Sequence, residues 1–375
     1  MSQAAANASP SAAGAGRAAR WAPRPSGYWR EVWRRYRRSR LGLAALGVVA
    51  LLAVVAAFAP FIAGTRPIIC RYKGSWYFPA LFYYSQRWEN PVFFQDGFSF
   101  TGFPSGLKEN DPAGHIAVWP LFYADPHRRV EDGEWKERPG DAYSGAPSLR
   151  NPLGTDSLGR DVLARMVHGT SIALLVGFVA MGIAAVIGIV VGSLAGYFGS
   201  WVDVTCSRLI ELVMAVPRLI LILAVIAIVE KPTIWHMMAV IGCTSWEGIA
   251  RYVRAEFLRL KEAEFIAAAR ALGVPAPRIM FRHMLPNALA PVIVALTFGI
   301  AGAILIESAL SFLGLGSEPT TPSWGRILQE GYPSLGSASP KWWLIFFPGL
   351  GIFTAVLVYN LVGDTFQEAS DPRLR

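Results

Sequence analysis

Few residues in this chain are laid out for covalent or metal chemistry. No Gly-x4-Gly-Lys-Ser/Thr phosphate loop occurs, so the chain itself is not built to hold a nucleotide. No set of His, Cys and carboxylates has the spacing of a metal site, and no nucleophile motif stands out. Cys70, Cys206 and Cys243 lie far apart, two of them in apolar runs, which excludes a disulfide framework or thiolate cluster as the organising feature. What remains is charge set among apolar neighbours. Glu307, with Ser308 and Ser311 beside it, interrupts an apolar run, where an ionisable group either faces a water-filled path or pairs inside a helix bundle. Arg208 and Glu211 stand three apart on one helix face, in reach of each other. Residues 264–287 combine charge, small residues and backbone breaks that a lipid-facing helix has no use for.

The elements that must position these groups are membrane helices. The chain is 53% hydrophobic and 16% charged, against about 25% charged in soluble domains. The net charge of +9 is concentrated beside apolar runs, so membrane topology explains it and nucleic acid is not needed as a partner. Residues 1–40 form a basic N-terminal segment with nine Arg against one acid, Glu31, and keep the N-terminus cytoplasmic. Within it Trp29, Trp33 and Tyr36 fit an interfacial anchor. Leu41–Ile62 is charge-free over 22 residues; Ala57-Phe58-Ala59 imitates a signal cleavage site, but length and the arginine lead favour a span. Five further spans are expected at Ser171–Tyr197, Val204–Val229 with a kink at Pro217, Ile234–Ala250, Ala288–Leu315 and Trp342–Val362. Gly188, Gly192 and Gly196 recur every fourth residue, which lets another helix approach closely.

Residues 63–148 hold no spanning run. Dense aromatics, among them Trp76, Trp88, Phe93 and Phe94, and frequent Gly and Pro predict a small extracytoplasmic domain of short strands and loops. Its aromatics serve its own core, an interfacial belt, or contact with a partner.

In 264–287, Lys261–Leu272 favours helix, Gly273 ends it as a C-cap, and Pro275 and Pro277 suit a second short helix before a Leu285-Pro286 stop. This stretch resembles the loop by which permease subunits of binding-protein-dependent ABC importers rest on their ATPase. The pattern there is Glu-Ala-Ala, three residues, Gly, nine residues, Ile-x-Leu-Pro. Ala268, Ala269, Gly273, Leu285 and Pro286 match, while Ala267 replaces the Glu and His283 the Ile. Both departures are familiar in the dipeptide/oligopeptide/nickel branch. Asn151-Pro-Leu-Gly-Thr-Asp-Ser-Leu-Gly-Arg-Asp161 and Ser311-Phe-Leu-Gly-Leu-Gly316 resemble sequences of the same branch. In the former, Thr155 or Asp156 can cap a short helix and Arg160 and Asp161 can form ion pairs, as a structural belt or a substrate contact. The segment beginning Arg66-Pro-Ile-Ile-Cys resembles the longer outer loop of the microcin C/oligopeptide subgroup.

The resemblance implies an all-α integral membrane fold of six transmembrane helices with an extracytoplasmic insertion between helices 1 and 2. It implies a permease core over 149–375 with an ATPase-docking loop at 251–287. The docking residues it implies are Phe265, Ala268, Ala269, Arg270, Gly273, Arg278, Arg282, Leu285 and Pro286; Glu307, Ser308 and Ser311 fall to the translocation path. The partners would be a second permease, two ATPase subunits, an extracytoplasmic peptide-binding protein and the bilayer. No cofactor belongs to the chain, because ATP is bound by the partner subunits, and the chain is not an enzyme. The expected role is peptide import across the inner membrane, with both termini cytoplasmic. A nickel-chelate or small-solute importer is the alternative. A secondary transporter, which would show an internal repeat, fits less well.

Overall fold

In the computed structural model the described residues are 25–83, 92–93, 96, 98, 103–112, 114–127, 145–149, 151–230, 232–316, 318, 321–337 and 339–370. Trp88 and Phe94, the first 24 residues and the last five lie outside them.

A basic helix α1 (Pro25–Tyr36) leads by a short turn into α2 (Arg40–Ala57). Ser39 caps α2, its Oγ accepting the Gly42 N–H. Residues 63–127 then hold a three-stranded antiparallel sheet in the order β2-β1-β3, from β1 (Ile69–Tyr72), β2 (Ser75–Tyr77) and β3 (Ile116–Val118), with α3 (Phe103–Asn110) beside it. Cys70, Tyr72, Phe93, Phe103 and Leu107 form a separate small core there. Tyr72 donates to Asp96, which Lys73 also reaches at 2.8 Å; those two bonds hold the Asp96 carboxyl below its usual range. Trp76, Ile116 and Val118 lie on the opposite face and are exposed. The two ends of this segment meet, because Gly64 N–H donates to Phe122 O and Phe122 N–H to Ile62 O.

The core helices are α4 (Val162–Phe198), α5 (Ser200–Ala215), α6 (Arg218–Ala227), α7 (Ile234–Cys243), α8 (Trp246–Lys261), α9 (Glu264–Ala271), α10 (Ala276–Phe312), α11 (Trp324–Gly331) and α12 (Trp343–Ser370). Among the described residues α2, α4, α10 and α12 are long and apolar enough to cross a membrane, and α5 with α6 makes a fifth if the bent pair counts as one.

Several spans differ from their sequence outline. The expected run to Ile62 ends as a regular helix at Ala57. Pro217 does more than kink: α5 and α6 diverge by 81° there, since its ring and missing N–H stop helix continuation. The expected span Ile234–Ala250 is broken at Thr244–Ser245. Thr244 N–H still donates to Val240 O, but Ser245 N–H turns to Gly242 O and leaves Ile241 O to the Thr244 hydroxyl, so the regular ladder stops there. The helix expected over Lys261–Leu272 begins only at Glu264, and Lys261 belongs to α8. Leu285-Pro286 is not a stop. The rod α10 passes through it with a π-helical turn at Ile279–Met284, whose extra width accommodates the proline ring.

The glycine stripe finds its partner in α8. A Cβ on Gly188 would meet Trp246 O at 2.8 Å, on Gly192 Ala250 O at 2.4 Å, and on Gly196 Arg254 O at 2.8 Å. The register rises together, so α8 runs parallel to the second half of α4 at backbone-contact distance. Gly42 makes room for the Thr365 side chain, bringing α2 onto α12.

Candidate functional site

The segment after α8 is built as an anchored platform with a bare outer face. Gly273, at φ +73°, ends α9 in the left-handed region that a side chain would strain. Ile266 and Ala269 of α9 turn inward with Ile279, Met280 and Met284 of α10. Outward stand Phe265 (47% exposed), Leu272 (83%) and Phe281 (49%), with Ala268, Arg270, Gly273, Arg278, Arg282 and Pro286 also exposed. Arg278 and Arg282 have no ion-pair partner among the described residues, whereas Arg270 lies 5.4 Å over the Tyr197 ring. Two expected docking residues do not reach this face. Ala269 is buried and Leu285 half-buried, because their positions fall on the inner side of their helices. Leu272 and Phe281 are the residues that sequence reasoning missed. For Leu272 the signal was an apolar side chain placed directly before a glycine break, where the helix end offers it nothing to pack on.

The platform is held from behind by α8. Arg254 clasps Asp203 of α5 in a two-toothed ion pair, its Nη2 at 2.7 Å from Oδ2. Seven residues earlier on α8, Glu247 pairs with Arg218 at the start of α6. The bent α5–α6 unit is thus tied to α8 on either side of its corner.

At the other end of the bundle, the Leu-Gly-Thr-Asp motif forms a buried ion cluster. Asp156 Oδ2 accepts from Arg160 Nε and Arg165 Nη1, both at 2.6 Å. Glu330 of α11 accepts from Arg160 Nη2 at 2.9 Å and from Arg165 Nη1 and Nη2. Burial works against the Arg160 charge, but Asp156 and Glu330 raise its pKa overall. No short helix follows Thr155 or Asp156. The capping residue is Asp161, which starts α4 by accepting from Ala164 N–H and also takes Asn151 Nδ2 at 2.6 Å. Among the described residues Asp161 makes no ion pair, and burial pushes its carboxyl up. Asp156 instead closes the turn, accepting from Leu158 N–H and Arg160 N–H. Gly154, at φ +77°, lets Trp343 Nε1 donate to Thr155 O at 2.9 Å. The motif welds α4, α11 and α12 together, which is the structural-belt reading.

Glu307, Ser308 and Ser311 come together, but inside the chain. Their exposures are 1, 4 and 2%. Ser311 Oγ donates to Glu307 at 2.7 Å and Ser308 Oγ at 3.4 Å, and α11 closes over them with Gly325 against Ser308 backbone. A path-lining role for Glu307 and Ser311 is replaced by pairing within the bundle; Ser308 alone also borders an open groove with Phe312, Phe353 and Asn360. Arg208 and Glu211 do pair, at 2.7 Å, on an exposed surface.

These features define a helical membrane permease. The family model described as binding-protein-dependent transport system inner membrane component matches residues 188–375, and the N-terminal TM domain of oligopeptide transport permease C matches 27–73. The inner membrane ABC transporter permease protein YejE of Escherichia coli is 33% identical over 341 residues, covering 91% of this chain and 96% of its own. The peptidoglycan transport system permease protein YejE of Agrobacterium fabrum is 32% identical, covering 91% and 92%. The dipeptide transport system permease protein DppC of Alkalihalophilus pseudofirmus is 39% identical over 61% of this chain and 74% of its own. The chain belongs to the family of binding-protein-dependent transport system inner membrane components. Its place is that of a transport subunit, not of a catalyst.

Proposed function

We propose that this chain is the second of two unlike permease subunits in an ATP-driven importer of peptides. It couples the movements of two separate ATPase subunits to alternating access, and an extracytoplasmic binding protein delivers the cargo. The observation that carries the coupling role is the outer face around Gly273. An exposed apolar trio flanked by Arg278 and Arg282, which have no ion-pair partner among the described residues, and backed by a packed inner face has the make-up of a protein-binding hot spot. Phe265, Ala268, Arg270, Gly273, Arg278, Arg282 and Pro286 are assigned to it, with Leu272 and Phe281 added. ATP hydrolysis biases the two states, and this chain transmits the bias.

Six crossings fit the chain. The α7–α8 pair lies along α4, with Gly242 against Ala180 and Gly192 against Ala250, and covers Ile234 to Ala250 before the 251–287 loop begins. That is about 24 Å of helix at 1.5 Å per residue, close to the depth of a hydrocarbon core. With α5–α6 as the return, both termini and 251–287 are cytoplasmic and 63–148 is outside. Peptide cargo is supported by the relatives named for dipeptide and peptide transport. An alignment covering 91% of the chain takes in most of residues 63–148, which supports the subgroup with the long outer loop. A peptidoglycan fragment is the second reading, favoured by the relative so named.

Replacing Gly273 by Val tests the coupling role. The variant is expected to keep its expression and lose uptake, with ATP hydrolysis no longer tied to transport, because a β-branched residue cannot hold φ +73° without strain. Peptide uptake at the wild-type level would reject the assignment.

A further inference from the structure

The helix that precedes the first span is gripped on one side and bare on the other. Val32 (4% exposed) and Tyr36 (2%) are buried against Ala369, with Tyr28 and Phe366 beside them, so the inner side of α1 is fixed to the last turns of α12. Tyr36 Oη also donates to Gly42 O at 3.0 Å, fastening α1 to the start of α2. The outer side carries Arg30 and Arg34, the turn that follows adds Arg37 and Arg38, all four exposed, and Arg40 stands at the start of α2. Trp29 and Trp33 stand exposed on the flank between the two sides, and the Arg37 guanidinium lies 5.3 Å over the Trp33 ring. The one acid of the helix, Glu31, is engaged with Arg35 at 2.8 Å and Arg34 at 3.7 Å. Arg30, Arg38 and Arg40 have no ion-pair partner among the described residues.

Position decides what this face meets. Only residues 37–39 separate α1 from a helix long and apolar enough to cross a membrane, and the grip on α12 prevents α1 from swinging away. It must therefore lie at the bilayer surface, where tryptophans settle at head-group depth. We propose that the outer face of α1 is a binding surface for anionic phospholipid head groups, whose phosphodiesters the arginines pair with while Trp29 and Trp33 enter the interface. The bound lipid then pins the end of α12 through Val32 and Tyr36. The chemistry goes beyond topology: a zwitterionic surface satisfies the tryptophans but leaves the surplus positive charge unmatched.

The test uses the full chain purified in detergent and mixed with phosphatidylglycerol or phosphatidylcholine, with retained lipid counted by native mass spectrometry. The wild type is expected to prefer phosphatidylglycerol by more than about tenfold, since each surface arginine contributes on the order of 1 kcal/mol to such binding. The variant Arg30→Gln/Arg34→Gln/Arg37→Gln/Arg38→Gln leaves Arg35 and the buried grip untouched and is expected to lose that preference. Raising the salt concentration should weaken the wild-type preference in parallel, an independent measurement needing no variant. An undiminished preference in the variant, or one indifferent to salt, overturns the proposal. So does a variant that keeps its lipid preference and instead fails to co-purify with ATPase subunits, which would assign the face to a protein. Uptake is not read in any arm, so failure here leaves the transport reading standing.

Discussion

Glu330 lies 165 residues from Arg165 and yet closes the ion cluster at the head of α4. Arg165 is 1% exposed and Asp156 2%, so neither charge can turn to water if a partner is lost. Removing one member of such a buried set costs about 3 kcal/mol, because the charge left behind stays desolvated. Glu330→Ala is therefore expected to lower the melting temperature of the purified chain markedly, while Glu211→Ala, on an exposed pair, should shift it very little. Equal effects of the two would show that the cluster is not holding α11 to α4. Cys70 is another case where surroundings decide behaviour. Burial pushes its thiol up to about 12, so it stays protonated and unreactive near neutral pH.

At the level of elements, the contact between α4 and α8 links the transmembrane bundle to the segment around Gly273. Three glycines let α8 backbone touch α4 backbone, and the Asp203–Arg254 and Arg218–Glu247 pairs tie the bent α5–α6 unit to the same helix. A displacement at α9 thus has a stiff route into α4, α5 and α6 together. Gly192→Leu should force α8 away, since even a Cβ there meets Ala250 O at 2.4 Å. Overpacking of this kind costs on the order of 1–3 kcal/mol. Gly182→Leu on the same helix, where a Cβ meets nothing within 4 Å, is the matched control. A thermal-unfolding comparison checks this; equal stability of both variants would mean that the helices are not in backbone contact.

For the molecule as a whole, the two ends differ in kind. One gathers α1, the end of α12 and the outer face around Gly273; the other gathers the ion cluster and the sheet of residues 69–118. Orientation is read by single cysteines in a Cys206→Ser/Cys243→Ser background, leaving the shielded Cys70 in place. Glu109→Cys should react with an impermeant thiol reagent in intact cells, and Glu262→Cys only after the membrane is opened. The opposite labelling pattern would invert the topology. Because Gly64 and Phe122 are hydrogen-bonded neighbours, residues 66–120 can be replaced by a short Gly-Ser linker without pulling α2 from α4. That replacement should spare basal ATPase activity of the assembled complex and reduce its stimulation by loaded binding protein, through loss of exposed residues such as Trp76. Full stimulation and uptake after the replacement would remove the insertion from cargo delivery.

Local rules written into the chain were enough for several features. Glycines every fourth residue announced a close helix contact, Gly273 a left-handed helix end and Pro217 a kink, though the 81° turn found there exceeds it. Each depends only on what one residue type permits in its own backbone. The membrane class followed from long apolar runs, which no soluble core requires. Other features were settled only by the tertiary structure. Which helix met the glycine stripe, that Glu330 completes the Asp156 cluster, that Glu307 is sealed by α11, and that Ala269 faces inward while Leu272 faces out depend on distant segments. The partners of Glu330 and Asp203 lie 165–170 and 51 residues away. The break at Thr244–Ser245 and the passage of α10 through Pro286 belong with these, since in both it is the pairing of backbone groups, not residue type, that decides.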